Sequence, residues 1–186
     1  MSSRRLFFLA VSALLSACGS GGSTTPDAGP DAGGQSFELG GEGVDDPLGS
    51  GPNEARAGRI DAEELPSDAS EYLTWRAGDF VLANDRVAIV IEDAGPSDLY
   101  DPWGGKPVGL GRVEGGALVD PADFGEIFFL TGRHALMTEH VGVVADGSDG
   151  GAAIVRAVGR LRPLPFIDEL IKPGFSSNYD LVYAAF

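Results

Sequence analysis

The chain has 186 residues, with 28 acidic and 13 basic side chains, a net charge of −15 and a single cysteine. Proteins bind nucleic acid and anionic lipid through a basic surface that replaces their counterions, and a chain this acidic lacks such a surface. We therefore expect the protein to bind neither nucleic acid nor anionic lipid through its charge. One cysteine excludes an intramolecular disulfide, and the length suits one domain with one buried core.

The first 17 residues have the pattern of a removable targeting signal. Arg4 and Arg5 supply a positive start, residues 6–15 form a short apolar stretch, and two small residues follow. A spanning helix needs about 20 apolar residues, so this stretch is too short to cross a membrane. The pattern predicts a signal peptide.

The letters LSAC, ending at Cys18, resemble the lipobox of bacterial lipoproteins. The resemblance implies that the Cys18 thiol takes a diacylglyceryl group, that the signal is cut before it, and that the new amino end is acylated. Several acyl chains together hold a protein stably in a bilayer. Gly19 follows Cys18 where an aspartate would imply the inner membrane. We therefore expect lipidation at Cys18 and an outer-membrane location, periplasmic or surface-exposed.

Residues 18–55 are rich in Gly, Pro, Ser and Asp and hold few apolar groups. Such a stretch does not offset its ordering entropy, so we expect a disordered linker. Phe37 and Leu39 leave open an alternative, in which this part pairs onto the domain as an edge strand. The folded domain is expected over residues 56–186.

The segment DFVLANDRVAIVIED, residues 79–93, predicts a hairpin. Asn84 and Asp85 form a polar turn between two apolar runs, and the second run is rich in β-branched residues on both faces. A strand that is apolar on both faces is typical of the centre of a sheet. GALVD, GEIFFLTG and HVGVVAD predict further strands, and DGSDGG predicts a hairpin loop.

Helical signals are short, one turn each at residues 60–65 and 166–171. Many short strands between Gly- and Pro-rich turns predict an all-β sandwich. The chain ends in the apolar letters NYDLVYAAF, either a closing strand or the cut end of a longer chain. We favour the second interpretation, because native ends are usually polar.

The frame from VLANDRVAIVIEDAG to AAIVRAVG, within residues 79–159, resembles a leading β-module of large Gram-negative surface lipoproteins. Some of these carry a metal-dependent hydrolase domain of the PHP class further along. The order NDRVAIVI then GGALVD is similar to the opening strands of galactose-mutarotase-like supersandwich folds. Because the chain has no His-x-His pair of the PHP type, the resemblance implies the fold and not the hydrolase activity.

The loop EDAGPSDLYDPWGGKP holds the candidate ligand-binding residues Tyr100, Asp101 and Trp103. An indole stacks on a sugar face, and a carboxylate accepts hydrogen bonds from its hydroxyls. The alternative, which the composition favours, is that Trp103 caps the core and the acids make turns. GGKPVGLG lacks the Gly-Lys-Ser/Thr ending of a phosphate loop.

His134 and His140 are the two histidines of the chain. On a strand they lie roughly 20 Å apart, too far to share an ion, so we expect no metal and no cofactor. Arg156, Arg160 and Arg162 share one strand face and are expected to pair with carboxylates on a neighbouring strand.

These patterns together predict a lipid-anchored outer-membrane protein with a binding or structural role and no catalysis of its own. Its partners would be the membrane, through its lipid, and a carbohydrate or another surface component. The alternative is the N-terminal module of a larger surface hydrolase, metal-dependent or glycan-acting, whose active site lies beyond residue 186.

Overall fold

The computed structural model describes residues 37–66, 74–123, 125–165, 167 and 182–186. The described part of the chain is strand-rich, with 48% strand and 2% helix, which confirms the predicted all-β class. Within the described residues the strands are β1 (Ala55–Arg59), β2 (Phe80–Asn84), β3 (Val87–Ile91), β4 (Pro107–Glu114), β5 (Ala117–Asp123), β6 (His134–Asp146), β7 (Ala153–Pro163) and β8 (Val182–Ala185).

The strands form two antiparallel sheets. β1 to β5 lie side by side in chain order, and β6, β7 and β8 form the second sheet in the same way. Within each sheet, therefore, strands that are neighbours in sequence pair with each other, and short turns join β2 to β3, β4 to β5 and β6 to β7. The loop DGSDGG joins β6 to β7, as its composition predicts.

The hairpin of β2 and β3 is confirmed, and its turn shows why it forms. The Asn84 side-chain oxygen accepts hydrogen bonds from the backbone N–H groups of Arg86 and Val87, at 2.9 Å each. An asparagine that bonds to the backbone two residues on is a standard way to stabilise such a turn. Leu82 then lies opposite Ile89 in the paired register.

The first sheet is buried on both faces. One face packs against the second sheet in a cluster formed by Ala57, Phe80, Ile91, Val141, Val143, Val155 and Ala157. The other face is covered by loop residues in a cluster formed by Leu48, Ile60, Trp75, Val81, Ala83, Ala88, Val90, Val108, Val113 and Leu118. Alternate residues of β3 enter the two clusters, so this strand is central, as predicted from its apolar residues on both faces.

Residues 37–55, which the composition assigned to the linker, belong to the same compact unit as the strands, Phe37–Phe186. Gly41 exchanges backbone hydrogen bonds with Val143 of β6, at 2.9 and 2.8 Å. Leu48 is fully buried against the first sheet. A Gly- and Asp-rich segment is ordered here because its backbone finds partners on existing strands; residues 18–36 lie outside the described part.

Two further predictions differ from the structure. The strand predicted at GEIFFLTG is wrong, because residues 125–130 have no regular structure. Residues 60–65 form a hydrogen-bonded turn from Asp61 to Glu64 instead of a helical turn. The turn predicted at residues 166–171 lies almost wholly outside the described residues. Within the part of the chain that is described, no helix has the length and apolar character needed to cross a bilayer.

Gly109 of β4 lies against the indole of Trp75, and a Cβ at this position would overlap the ring. We predict that Gly109→Ala lowers the free energy of unfolding by about 1–3 kcal/mol, because overpacking displaces a core side chain. At Gly41 a Cβ would meet no atom of the described part of the chain within 4 Å. The control Gly41→Ala should change stability by less than about 0.5 kcal/mol in urea unfolding. Equal losses in both variants would contradict this packing.

Candidate functional site

The candidate site lies in the loops between β3 and β4 and after β5. Residues 95–104 fold back on themselves as a small hairpin, here called the 95–104 hairpin. Pro96 and Trp103 form an isolated antiparallel bridge, and the N–H of Gly104 donates to the Gly95 carbonyl at 2.9 Å. The loop that carries Tyr100, Asp101 and Trp103 therefore has a defined backbone.

Lys106 holds this hairpin from inside. The residue is 2% exposed. Its Nζ donates to Ser97 Oγ at 3.0 Å, to the Asp101 carbonyl at 2.8 Å and to the Trp103 carbonyl at 2.7 Å. An ammonium has three hydrogens, so each has an acceptor in the hairpin.

Two carboxylates that are largely shielded from water lie beside the Lys106 ammonium, with side chains 5% and 9% exposed. Glu92 Oε2 lies 3.2 Å from Nζ and Glu126 Oε2 lies 3.4 Å from it. Glu92 is 4% exposed, and neither of its carboxylate oxygens has a hydrogen-bond donor among the described residues. Because the Nζ hydrogens are bonded elsewhere, the stabilisation of Glu92 by Lys106 is electrostatic, and it is strong because the site is shielded from water.

Glu126 connects the 95–104 hairpin to the segment that follows β5. Both of its carboxylate oxygens accept the N–H of Asp101, at 3.1 Å each. The next residue, Ile127, donates its N–H to the Pro107 carbonyl at 3.0 Å. These bonds replace the strand pairing that the sequence predicts for this segment.

Asp101 is part of the same buried cluster. It is 2% exposed, and its Oδ1 accepts the backbone N–H of Trp103 at 3.2 Å. Burial raises the pKa of Asp101 to about 6; the Lys106 charge and the Trp103 hydrogen bond oppose this, and the charges of Glu126 and Glu92 add to it. The carboxylate lies inside the loop and makes a turn, which is the alternative that its sequence context favoured.

The structure separates the three predicted ligand residues. Asp101 points inward, Trp103 is half-buried, and Tyr100 is 54% exposed. The Tyr100 ring lies with its centroid 6.0 Å from that of Phe128, at an interplanar angle of 32°. Tyr100 therefore belongs to a surface shared with the segment after β5.

That surface is apolar. Ile127, Phe129 and Leu130 are 56%, 52% and 47% exposed. We call Tyr100 and residues 127–130 the apolar patch. Isolated exposed apolar residues are common, but several adjacent ones mark a surface that binds a partner.

A small cavity of about 190 Å³ is lined by Glu92 and by Gly95 and Pro96 at the start of the 95–104 hairpin. Asp79 and Asp93 line it together with Arg76. The Asp79 carboxylate accepts the backbone N–H groups of Arg76 at 2.7 Å and Asp93 at 3.0 Å, and burial raises its pKa. The Asp79 carboxylate is therefore already bonded within the fold.

The two histidines lie apart in β6. His134 is buried, and the His140 ring nitrogen Nε2 lies 3.0 Å from the Leu39 carbonyl oxygen. Within the residues that the structure places, no group of three or more His, Cys, Asp and Glu side chains is arranged to hold a metal ion. Cys18, the predicted lipidation site, lies outside the described residues.

The three arginines of β7 differ in their partners. Arg160 pairs with Glu139 on β6 at 2.9 Å, which confirms the predicted cross-strand pair. Arg156 donates to the Glu38 carbonyl at 3.0 Å. Arg162 donates to the carbonyl of the residue before it at 3.1 Å. The predicted acidic partner on the neighbouring strand is thus shown for Arg160.

Sequence reasoning did not identify Lys106 or Glu126 as members of the site. A signal for Lys106 was present, since a lysine directly before a buried strand needs a partner. The sequence contains no comparable signal for Glu126, because the role of this residue depends on which loops contact each other in the fold.

The chain matches no known protein-family model, curated protein or solved structure. The function is therefore proposed from the geometry of the loop cluster, formed by Lys106 with Glu92, Asp101 and Glu126, and of the apolar patch.

The raised pKa of Asp101 makes stability depend on pH. The ordinary value is 3.8 and the folded value about 6, so the folded state binds this proton more tightly than the unfolded chain. The contribution of Asp101 to the free energy of unfolding is therefore greatest below about pH 4. It decreases as the pH rises from about 4 to about 6, and it stays at its lowest value above about pH 6.

We predict that Asp101→Asn flattens this dependence, because an amide oxygen still accepts the Trp103 N–H but does not titrate. The gain in unfolding free energy over the native protein should be roughly 2–3 kcal/mol larger at about pH 7.5 than at about pH 3.5. Urea unfolding at the two pH values measures it. An equal difference at both would contradict the burial of an ionisable Asp101.

Proposed function

We propose that this protein is lipid-anchored in the outer membrane and that its all-β domain binds a partner through the apolar patch, without catalysis of its own. The observation that carries the proposal is the cluster of charged side chains, shielded from water, that holds the loops beside the patch. The side chains of Lys106, Glu126 and Asp101 form hydrogen bonds with backbone groups of the 95–104 hairpin. These hydrogen bonds fix the conformation of the loops beside the apolar patch. A surface held in one conformation is suited to binding a partner.

The architecture supports such a role. Two antiparallel sheets share one apolar cluster. We infer that they pack as a sandwich, and loops on such a rigid body commonly carry binding surfaces. A surface held in its bound shape loses little conformational entropy when it meets a partner.

The anchor is supported by the sequence. A basic start, a short apolar stretch and the letters LSAC coincide before the one cysteine of the chain. The net charge of −15 disfavours adsorption to anionic lipid, so attachment would depend on the acyl chains.

We predict that mass spectrometry of the mature protein from its native host shows cleavage before Cys18 and acylation of that residue. Cys18→Ser should leave the chain uncut and without acyl groups, because the hydroxyl does not replace the thiol as the acceptor. Ser16→Ala is the matched control: it keeps a small residue in the motif and should be processed normally. An unmodified Cys18 thiol in the native material would contradict the proposal.

A further inference from the structure

We propose that the apolar patch inserts into the surface of a zwitterionic phospholipid bilayer and gives the domain a second membrane contact. This inference rests on the proposed function, since the lipid on Cys18 brings the domain to the bilayer. The contact would orient the domain, with the 95–104 hairpin toward the lipid.

The patch has the composition and backbone of an inserting loop. Ile127, Phe128, Phe129 and Leu130 are consecutive large apolar residues, and residues 125–130 have no regular structure. A strand edge would offer a row of hydrogen-bonding groups to another sheet, but this segment is not a strand. Its exposed side chains suit a fluid apolar phase.

Tyr100 stands at the side of this segment, in ring contact with Phe128. Its ring is apolar and its hydroxyl is polar. Aromatic residues of this kind are enriched at the level of the lipid headgroups. Tyr100 therefore suits the boundary between headgroups and acyl chains, with Phe129 deeper.

The charges around the patch select the lipid. Glu126, the residue before the patch, has a side chain that is only 9% exposed and is paired with Lys106, so the patch inserts without exposing that carboxylate. The whole chain carries a net charge of −15. Anionic headgroups repel such a protein at low ionic strength, whereas zwitterionic headgroups do not.

The length of chain between the anchor and the fold keeps lipid within reach. Nineteen residue steps separate Cys18 from Phe37. At no more than about 3.6 Å each, they span at most roughly 70 Å. The bilayer that holds the acyl chains is therefore present at high effective concentration near the domain. Its apolar interior is within reach of the patch for as long as the protein is anchored.

The test uses the full acylated protein reconstituted in phosphatidylcholine vesicles. Phe129→Cys provides one free thiol, since the Cys18 thiol is acylated, and the thiol carries an environment-sensitive fluorophore. Nitroxide-labelled lipid reports whether the fluorophore is at the depth of the acyl chains. Ile127→Cys is a second probe of the patch, independent of any local effect at Phe129.

Val87→Cys is the matched control. Val87 is also about half exposed, and it pairs with Arg112 at one end of the β3–β4 pair. At the other end Ile91 pairs with Pro107, whose carbonyl accepts the Ile127 N–H. The control thus lies at the opposite end of the β3–β4 pair from the patch. We expect nitroxide quenching at Phe129 and Ile127 to exceed that at Val87 by about threefold or more, because inserted side chains reach 5–10 Å into the boundary region.

Equal quenching at the three positions, in protein that floats with the vesicles, would overturn this inference and leave the anchor intact. Failure of the native protein to float would instead overturn the proposed function. A blue shift at Phe129 that depends on protein concentration and not on lipid would show that a second copy covers the patch, and would also overturn the inference. Vesicles rich in phosphatidylglycerol should reduce quenching at low salt and restore it at high salt.

Discussion

The loops of this protein depend on one buried ammonium group. Moving the charge of Lys106 out of water costs several kcal/mol, and the cost is offset only where geometry supplies both acceptors and negative charge. Lys106 has three acceptors on the 95–104 hairpin and two carboxylates within 3.4 Å. Such a cluster adds little net stability compared with apolar packing, but any other loop conformation would leave a buried charge unpaired. The cluster therefore determines the conformation of the loops.

This arrangement reverses the usual distribution of side chains at one end of the molecule. Glu92 and Lys106 are buried and the Glu126 side chain is only 9% exposed, while Ile127, Phe129 and Leu130 of the apolar patch are exposed. The two features are coupled, since Glu126 directly precedes Ile127 and holds it beside the 95–104 hairpin. A fold that maintains a buried ion cluster beside exposed aromatic side chains keeps an apolar surface in a fixed shape, which is what a binding surface requires.

The parts of the fold predicted from sequence are those that local chemistry decides. The β2–β3 hairpin follows from the bonds of Asn84 and from the apolar runs around it, both of which are visible within fifteen residues. The run in GEIFFLTG has the same pattern as a buried strand, and periodicity does not distinguish it from an exposed loop. What decides the matter is the long-range contact of Glu126 with Asp101 and Lys106. Leu48 was likewise assigned to the linker, because composition does not show that its neighbours pair with β1 and β6.

Hydrogen exchange at single amides tests the role of Lys106 most directly. In the native protein the N–H groups of Asp101 and Ile127 should exchange slowly, because each is bonded within the loop cluster. In Lys106→Met both should lose protection by an order of magnitude or more, while amides in β2 and β3 keep theirs. The surface variant Arg160→Met should leave all of these amides unchanged. Unaltered protection at Asp101 and Ile127 in Lys106→Met would contradict the claim that one buried ammonium holds these loops together.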